Sequence, residues 1–333
     1  MVHPEKTNTW GLTTFQKNPQ SVNPPWGYVY SANNQPDSVN GVLYPGYYYP
    51  RGRSGRIVEL INTDKKWTIE ETTKVNLDAT SIMHPEVAKE FAAILRASGK
   101  PQFEELIPLL ERWNGSHQLT DIAPSVYYNL LSQTLFMTMK DELGPDAANT
   151  LIGSTAIKNS YYKFISNDAS PWWDNVTTKD KKESRTEIVE QAALKTIALL
   201  KSTSGETSST WTWDKIHTLT HKHVLSAVKP LDKYFNVGPF PVPGGNEVIN
   251  NLDFELDTTG YFPVNSGPAL RKITDFSNLN GGYTVSPTGQ SGNAASPYYD
   301  DQANMFVSGK FRRMETDRES VRATWNQRLL LKP

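Results

Sequence analysis

The sequence predicts an α+β fold with a helical middle region and a β-rich C-terminal region. Three observations carry this. Turn-forming residues punctuate short aromatic runs through residues 1–67, apolar stripes at helical spacing fill 68–201, and short β-type segments separated by Gly, Pro, Asn and Asp fill 202–333. With 333 residues the chain can bury a sizeable core, so one large or two ordinary domains are expected.

Residues 1–67 read as loop and short strand. Asn23-Pro24-Pro25, Asn33-Asn34-Gln35-Pro36-Asp37, Tyr44-Pro45-Gly46 and Pro50-Arg51-Gly52 are turn signals. Between them, Trp26-Gly27-Tyr28-Val29-Tyr30-Ser31 has strand composition, which sets the pair Asn33 and Asn34 at a strand end. In the helical region, 68–201, Pro85 suits the first turn of a helix whose stripe is Val87, Phe91, Ile94 and Leu95, and Gly99-Lys100-Pro101 ends it. Phe103, Leu106, Ile107 and Leu110 make a second stripe, and Tyr127, Leu131, Leu135 and Met139 a third. Val189, Ala193, Ile197 and Leu200 make a fourth. Such stripes pack on one another or on a sheet, so this region reads as structural. A polar loop at 202–209 marks the change of class, and strands are expected at 235–237, 247–250, 270–273 and 283–285.

Composition excludes several function classes. Lysine and arginine total 34 against 35 acidic residues, a formal charge of -1, so there is no electrostatic case for nucleic acid or an anionic membrane as partner. Cysteine is absent, which removes disulfides, thiolate metal sites and a cysteine nucleophile from the chain. No stretch approaches the ~20 apolar residues of a membrane span. Residues 1–11 lack the apolar run of a secretory signal, so no signal segment is expected in this chain.

Isolated candidates for chemistry have plainer explanations. If their stretch is extended, His217, His221 and His223 share one face and could hold zinc, yet Leu219 shares that face and no carboxylate adjoins them. Backbone hydrogen bonding explains them better. Asp174 after Trp172-Trp173, and Asp300-Asp301 after Tyr298-Tyr299, suit a glycosidase groove, but capping and turn formation suffice. Gly244-Gly245 and the stretch 288–293 match neither dinucleotide nor P-loop spacing and read as tight turns. Ser291 lacks the nucleophile elbow of a serine hydrolase.

Several blocks, in order, do resemble one family. They are Trp10-Gly11 and Phe15, Asn23-Pro24-Pro25, Gly27-Tyr28-Val29 leading to Ala32-Asn33-Asn34-Gln35-Pro36, and Arg56-Ile57. Leu110-Glu111-Arg112-Trp113-Asn114-Gly115, Trp172-Trp173-Asp174-Asn175 and Trp211-Thr212-Trp213 follow. The most specific run is Phe235-Asn236-Val237-Gly238-Pro239-Phe240, Gly244-Gly245, Gly267-Pro268-Ala269-Leu270-Arg271, Gly289-Gln290-Ser291-Gly292-Asn293 and Ser296-Pro297 through Asp301-Gln302. Together they resemble the C-terminal part of the β chain of penicillin acylases, the N-terminal-nucleophile hydrolases.

That resemblance implies an incomplete αββα amidase fold in which residues 202–333 complete the core. It implies hydrolysis of linear amides through an acyl-enzyme, with the N-terminal serine of the β chain as nucleophile and its own α-amine as base. Asn33 matches the family asparagine whose side-chain amide donates to the oxyanion, and Arg56 matches the arginine that supports that site. Asn34 is expected to shape the turn. No nucleophile is expected within this chain. Its partners would be the N-terminal part of the same precursor, meaning the α chain and the start of the β chain, and a small acylated amide. The chain alone would be inactive, and the family places it in the periplasm or outside the cell. No cofactor is required. Family members often bind calcium, with one carboxylate shortly after the asparagine pair, but Ser38-Val39-Asn40-Gly41-Val42-Leu43-Tyr44 supplies no acid there. The rival reading is a non-catalytic carbohydrate- or peptide-binding module using Tyr47-Tyr48-Tyr49, Trp172-Trp173 and Tyr298-Tyr299.

Overall fold

The structure, a computed structural model, describes residues 18–38, 41, 43–63, 65–325 and 329–331. Trp10, Gly11 and Phe15 of the family resemblance, and Val39, Asn40 and Val42 of the segment considered for calcium, lie outside the described residues.

The opening segment differs from expectation in two ways. No strand forms at 26–31; Asn23 and Gly27 take positive φ, the Gly27 N–H closes a turn on the Pro24 carbonyl, and Trp26, Val29 and Tyr30 stay exposed. Among the described residues no strand pairs with it, and strand composition without pairing leaves an extended loop. Then helix α1, Gly52–Ile61, begins where Pro50-Arg51-Gly52 reads as a turn. Its two glycines mark close packing rather than a break. A Cβ on Gly55 would lie 2.7 Å from Ile82 Cδ1, and one on Gly52 would lie 2.6 Å from Glu247 Oε2.

The helical region follows its stripes closely. Helix α2, Ile69–Asn76, starts at a capping box between Thr68 and Glu71. Helix α3, His84–Ala97, has Pro85 in its first turn and buries Val87, Phe91, Ile94 and Leu95. Helix α4, Leu106–Glu111, packs on α3 and buries Leu106, Ile107 and Leu110. Helix α5, Ala123–Met137, is buried nearly all round, as a central helix must be. Four short helices, α6 (Lys140–Leu143), α7 (Pro145–Ile152), α8 (Thr155–Lys158) and α9 (Tyr161–Ile165), lead to α10, Arg185–Ser204, which lies against α5 and α3.

Beyond residue 204 the chain is mostly ordered loop with two small antiparallel sheets. Strand β1, Thr218–His221, pairs with β2, Val237–Pro241, and a bulge interrupts the register between Leu219 and His221. Strands β3 (Arg271–Thr274), β4 (Gly281–Val285) and β5 (Arg312–Glu315) form the second sheet in the order β3-β4-β5. The strand expected at 247–250 is a turn instead, because Glu247 takes φ 54° and breaks the extended run. A large core joins the helices to Trp211, Trp213, Phe254 and Phe262, while Leu219, Val242, Leu252, Val285 and Phe306 form a smaller one under the sheets.

Candidate functional site

Asn33 sits in the left-handed region at φ 61°, a conformation asparagine tolerates better than most residues. Its carbonyl accepts from the Tyr49 N–H at 2.9 Å, which ties the loop to the segment entering α1. Its side chain is oriented by Arg53, whose Nη2 donates to Asn33 Oδ1 at 2.8 Å. A guanidinium has donors only, so the amide must face it through oxygen. The Nδ2 donor is thereby directed away from the guanidinium. Arg53 also lies over the Tyr49 ring, 5.3 Å from its centroid. Asn34 turns back on its own backbone: Oδ1 accepts from the Ala32 N–H at 3.1 Å and Nδ2 donates to the Gln35 carbonyl at 3.2 Å.

Arg56 does not reach this asparagine. One turn along α1 from Arg53, it grips Asp78 with Nε and Nη2 at 3.0 and 2.8 Å, and its Nη1 donates to Glu59 at 3.2 Å. The Asp78 carboxylate raises its pKa further above the usual arginine value. Asp78 in turn accepts from the Thr80 N–H, and its carbonyl accepts from the Asn250 N–H. Arg56 therefore fastens α1 to the chain before α3 and to the loop at 250. The arginine in contact with Asn33 is Arg53, which sequence reasoning missed. Its one signal was a place three residues before Arg56 in a helical register.

Across a cleft from Arg53 stands the loop 244–247. Gly244 at φ 105° leaves no room for a side chain, since a Cβ would lie 2.3 Å from the Asn250 carbonyl oxygen. The Gly244 N–H donates to the His117 carbonyl, and its own carbonyl accepts from Trp213 Nε1 at 3.0 Å. Asn246 holds Phe254 by both ends of its amide. Glu247 follows this pinned turn with Oε2 buried and, among the described residues, without a hydrogen-bond partner. Burial pushes its carboxyl up to about 7, against the lowering pull of the Arg53 guanidinium and backbone N–H.

The cleft is lined by Tyr49, Arg53, His84, Tyr128, Glu247 and the ion pair of Lys158 with Asp253, whose Nζ and Oδ1 are 2.9 Å apart. Its cavity of about 20 Å³ admits one water molecule and no acyl group. Behind it a directed chain of hydrogen bonds runs inward. His117 Nδ1 faces the Gly115 carbonyl at 2.7 Å and must donate, so Nε2 accepts from the Tyr128 hydroxyl at 3.0 Å. That leaves the Tyr128 oxygen to accept from His84 Nδ1 at 3.1 Å. Burial holds His84 well below its usual range and His117 down at about 4, so both are neutral at pH 7.

The other sequence candidates lie apart from this site. His217 gives Nδ1 to the Phe262 carbonyl, His221 lies on β1, and His223 Nδ1 accepts from the Leu225 N–H. Asp174 accepts from the Glu183 N–H and closes its loop. Among the described residues no three His, Asp or Glu side chains converge as a metal-binding group. Nor, among those residues, is any helix long and apolar enough to cross a membrane.

The chain is 26% identical over 97% of its length to an acyl-homoserine lactone acylase QuiP of Pseudomonas syringae pv. syringae, of which it covers 41%. It is 24% identical over 95% of its length to the acylase of the same name from Pseudomonas aeruginosa, of which it covers 40%. It thus spans about two fifths of the length of these curated relatives. Its fold resembles a thermostable penicillin G acylase from Alcaligenes faecalis with a TM-score of 0.50 at 18% identity, covering 95% of this chain and 59% of that one. The family description "Penicillin amidase" matches residues 2–323, and on a match of that extent the chain belongs to the penicillin amidase family.

Proposed function

We propose that this chain is the C-terminal portion of a penicillin-acylase-like amide hydrolase and supplies the oxyanion donor, Asn33, to a nucleophile carried by another part of the same precursor. The observation that carries the reading is the contact of Arg53 Nη2 with Asn33 Oδ1, which fixes the amide with its donor end directed away from the guanidinium. In this mechanism the serine hydroxyl at the start of the β chain attacks the acyl carbon and passes its proton to the adjacent α-amine. The carbonyl π electrons move to oxygen, and Asn33 Nδ2–H donates to that oxyanion. Collapse expels the amine, which takes the proton, and water then releases the acid from the ester. Asn33 is neutral, so it stabilises the developing charge without attracting an anion in the ground state. Arg53 and Arg56 act behind it, the first on the amide and the second on the helix that carries the first. No step requires calcium.

On the same reading the chain occupies part of a layered αββα fold, matures from a zymogen, and works in the periplasm or outside the cell. The names of the relatives favour N-acyl-homoserine lactones as the substrate class, with aryl-acyl amides as the second. The test is to express the precursor with its natural upstream sequence and follow release of fatty acid and amine by mass spectrometry. Processing to two chains with amide turnover supports the proposal. Turnover by this chain alone, abolished by substituting one of its own serines or threonines, would contradict it.

A further inference from the structure

We infer that Glu247 is a positioning residue for the oxyanion donor: its carboxylate holds the first turn of α1, and so Arg53, in the place where the guanidinium fixes the Asn33 amide. The inference rests on the role proposed for Asn33. Three features of the fold meet at this carboxylate. Helix α1 begins without a side-chain cap of its own and has no acidic residue in its first turn, so the positive end of its dipole is unmatched from within. Glu247 comes from nearly two hundred residues away to that end, with Oε2 packed against Gly52 in the first turn, where the Arg53 guanidinium and backbone N–H favour its charged form. The chain accepts unusual geometry to bring it there: φ 54° at a residue other than glycine, and no side chain at position 52.

The titratable groups that line the cleft with Glu247 are Tyr49, Arg53, His84, Tyr128, Tyr161, Lys158 and Asp253, and the Lys158–Asp253 pair is already matched. Among the described residues that line the cleft, Arg53 is thus the cation left for Glu247 to act on. The site also opposes stability. With the folded carboxyl at about 7 against an ordinary 4.5, the folded state binds the proton more tightly, so stability is lost as pH rises from 4.5 through 7. A carboxylate kept at a cost to stability, beside an arginine that orients a polar amide, fits a functional constraint.

The experiment uses the processed full-length enzyme and a chromogenic acyl amide, with kcat, KM and Tm measured at pH 5 and pH 8. At pH 8, where the side chain is a carboxylate, Glu247→Gln is expected to lower kcat by about 10- to 100-fold with KM nearly unchanged and to raise Tm; at pH 5, where the wild-type group is the neutral acid, both effects should be small. A parallel fall of Tm and kcat at both pH values marks a merely structural role and overturns the inference. Gly52→Ala, which displaces the carboxylate without changing charge, is the second arm. It is expected to lower kcat and to add little to Glu247→Gln in the double variant. Normal kcat in both variants, beside a severe loss in Asn33→Gly, overturns the role of Glu247 alone. Normal kcat in Asn33→Gly overturns the role of Asn33 and the inference with it.

Discussion

At the scale of single residues, the site turns on which end of an amide faces a cation. Arg53 offers donors only, so the contact with Asn33 Oδ1 decides the rotamer that the proposed oxyanion role requires. Arg53→Ala frees that amide to rotate, and kcat should fall by about 10-fold, less than for loss of the donor itself. Arg53→Lys keeps the charge but loses the planar fork and should recover only part of the rate. Steady-state kinetics on processed enzyme check both. Asn33 is singled out as a candidate in the sequence because it stands within a distinctive block, Ala32-Asn33-Asn34-Gln35-Pro36. Arg53 and Glu247 are not. One is an arginine among three within residues 51–56, and the other is a charged residue in a Gly-Asn turn; only tertiary contact separates them from surface residues.

At the scale of elements, periodicity points to α3, α4, α5 and α10, whose stripes are buried except for the half-buried Ile197, with Phe103 just before α4 and Met139 just after α5. It misses α1 because two glycines in the first turn lower local propensity, and packing against Ile82 and Glu247 overrides that. Strand composition misleads at 26–31, where no strand among the described residues pairs with the segment, and at 247–250, where the positive φ of Glu247 breaks the extended run. Arg56 holds α1 to Asp78, so Arg56→Ala should cost about 1–3 kcal/mol of stability in chemical denaturation. Ser184→Ala removes the capping-box residue of α10, remote from the cleft, and should cost about 1 kcal/mol without changing kcat in the processed enzyme. Urea titrations of the two variants, read with their activities, separate frame from site.

At the scale of the whole molecule, a buried aromatic and imidazole network joins the helical region to the loops that present Glu247. His117 at about 4 and His217 at about 3 lie below the ordinary 6.5, so the unfolded chain takes up protons first as the pH drops. Their contribution to stability should therefore decline progressively below about pH 6.5, and urea midpoints measured from pH 7 to pH 4 check this. Glu247 acts in the opposite direction, its burial weakening the fold as pH rises toward 7. The fold explains why the helical half was easier to read than the site: helices are specified by neighbours in sequence, whereas Asn33, Arg53 and Glu247 meet only through the tertiary structure. In the proposed enzyme Asn33 donates to an oxyanion formed on a nucleophile from another part of the precursor. The most direct test of that role is kcat of the processed Asn33→Gly enzyme, because glycine keeps the left-handed turn and deletes only the amide. A fall on the order of 10²–10³ with KM nearly unchanged is expected, whereas wild-type kcat in a normally processed Asn33→Gly enzyme would contradict the oxyanion role.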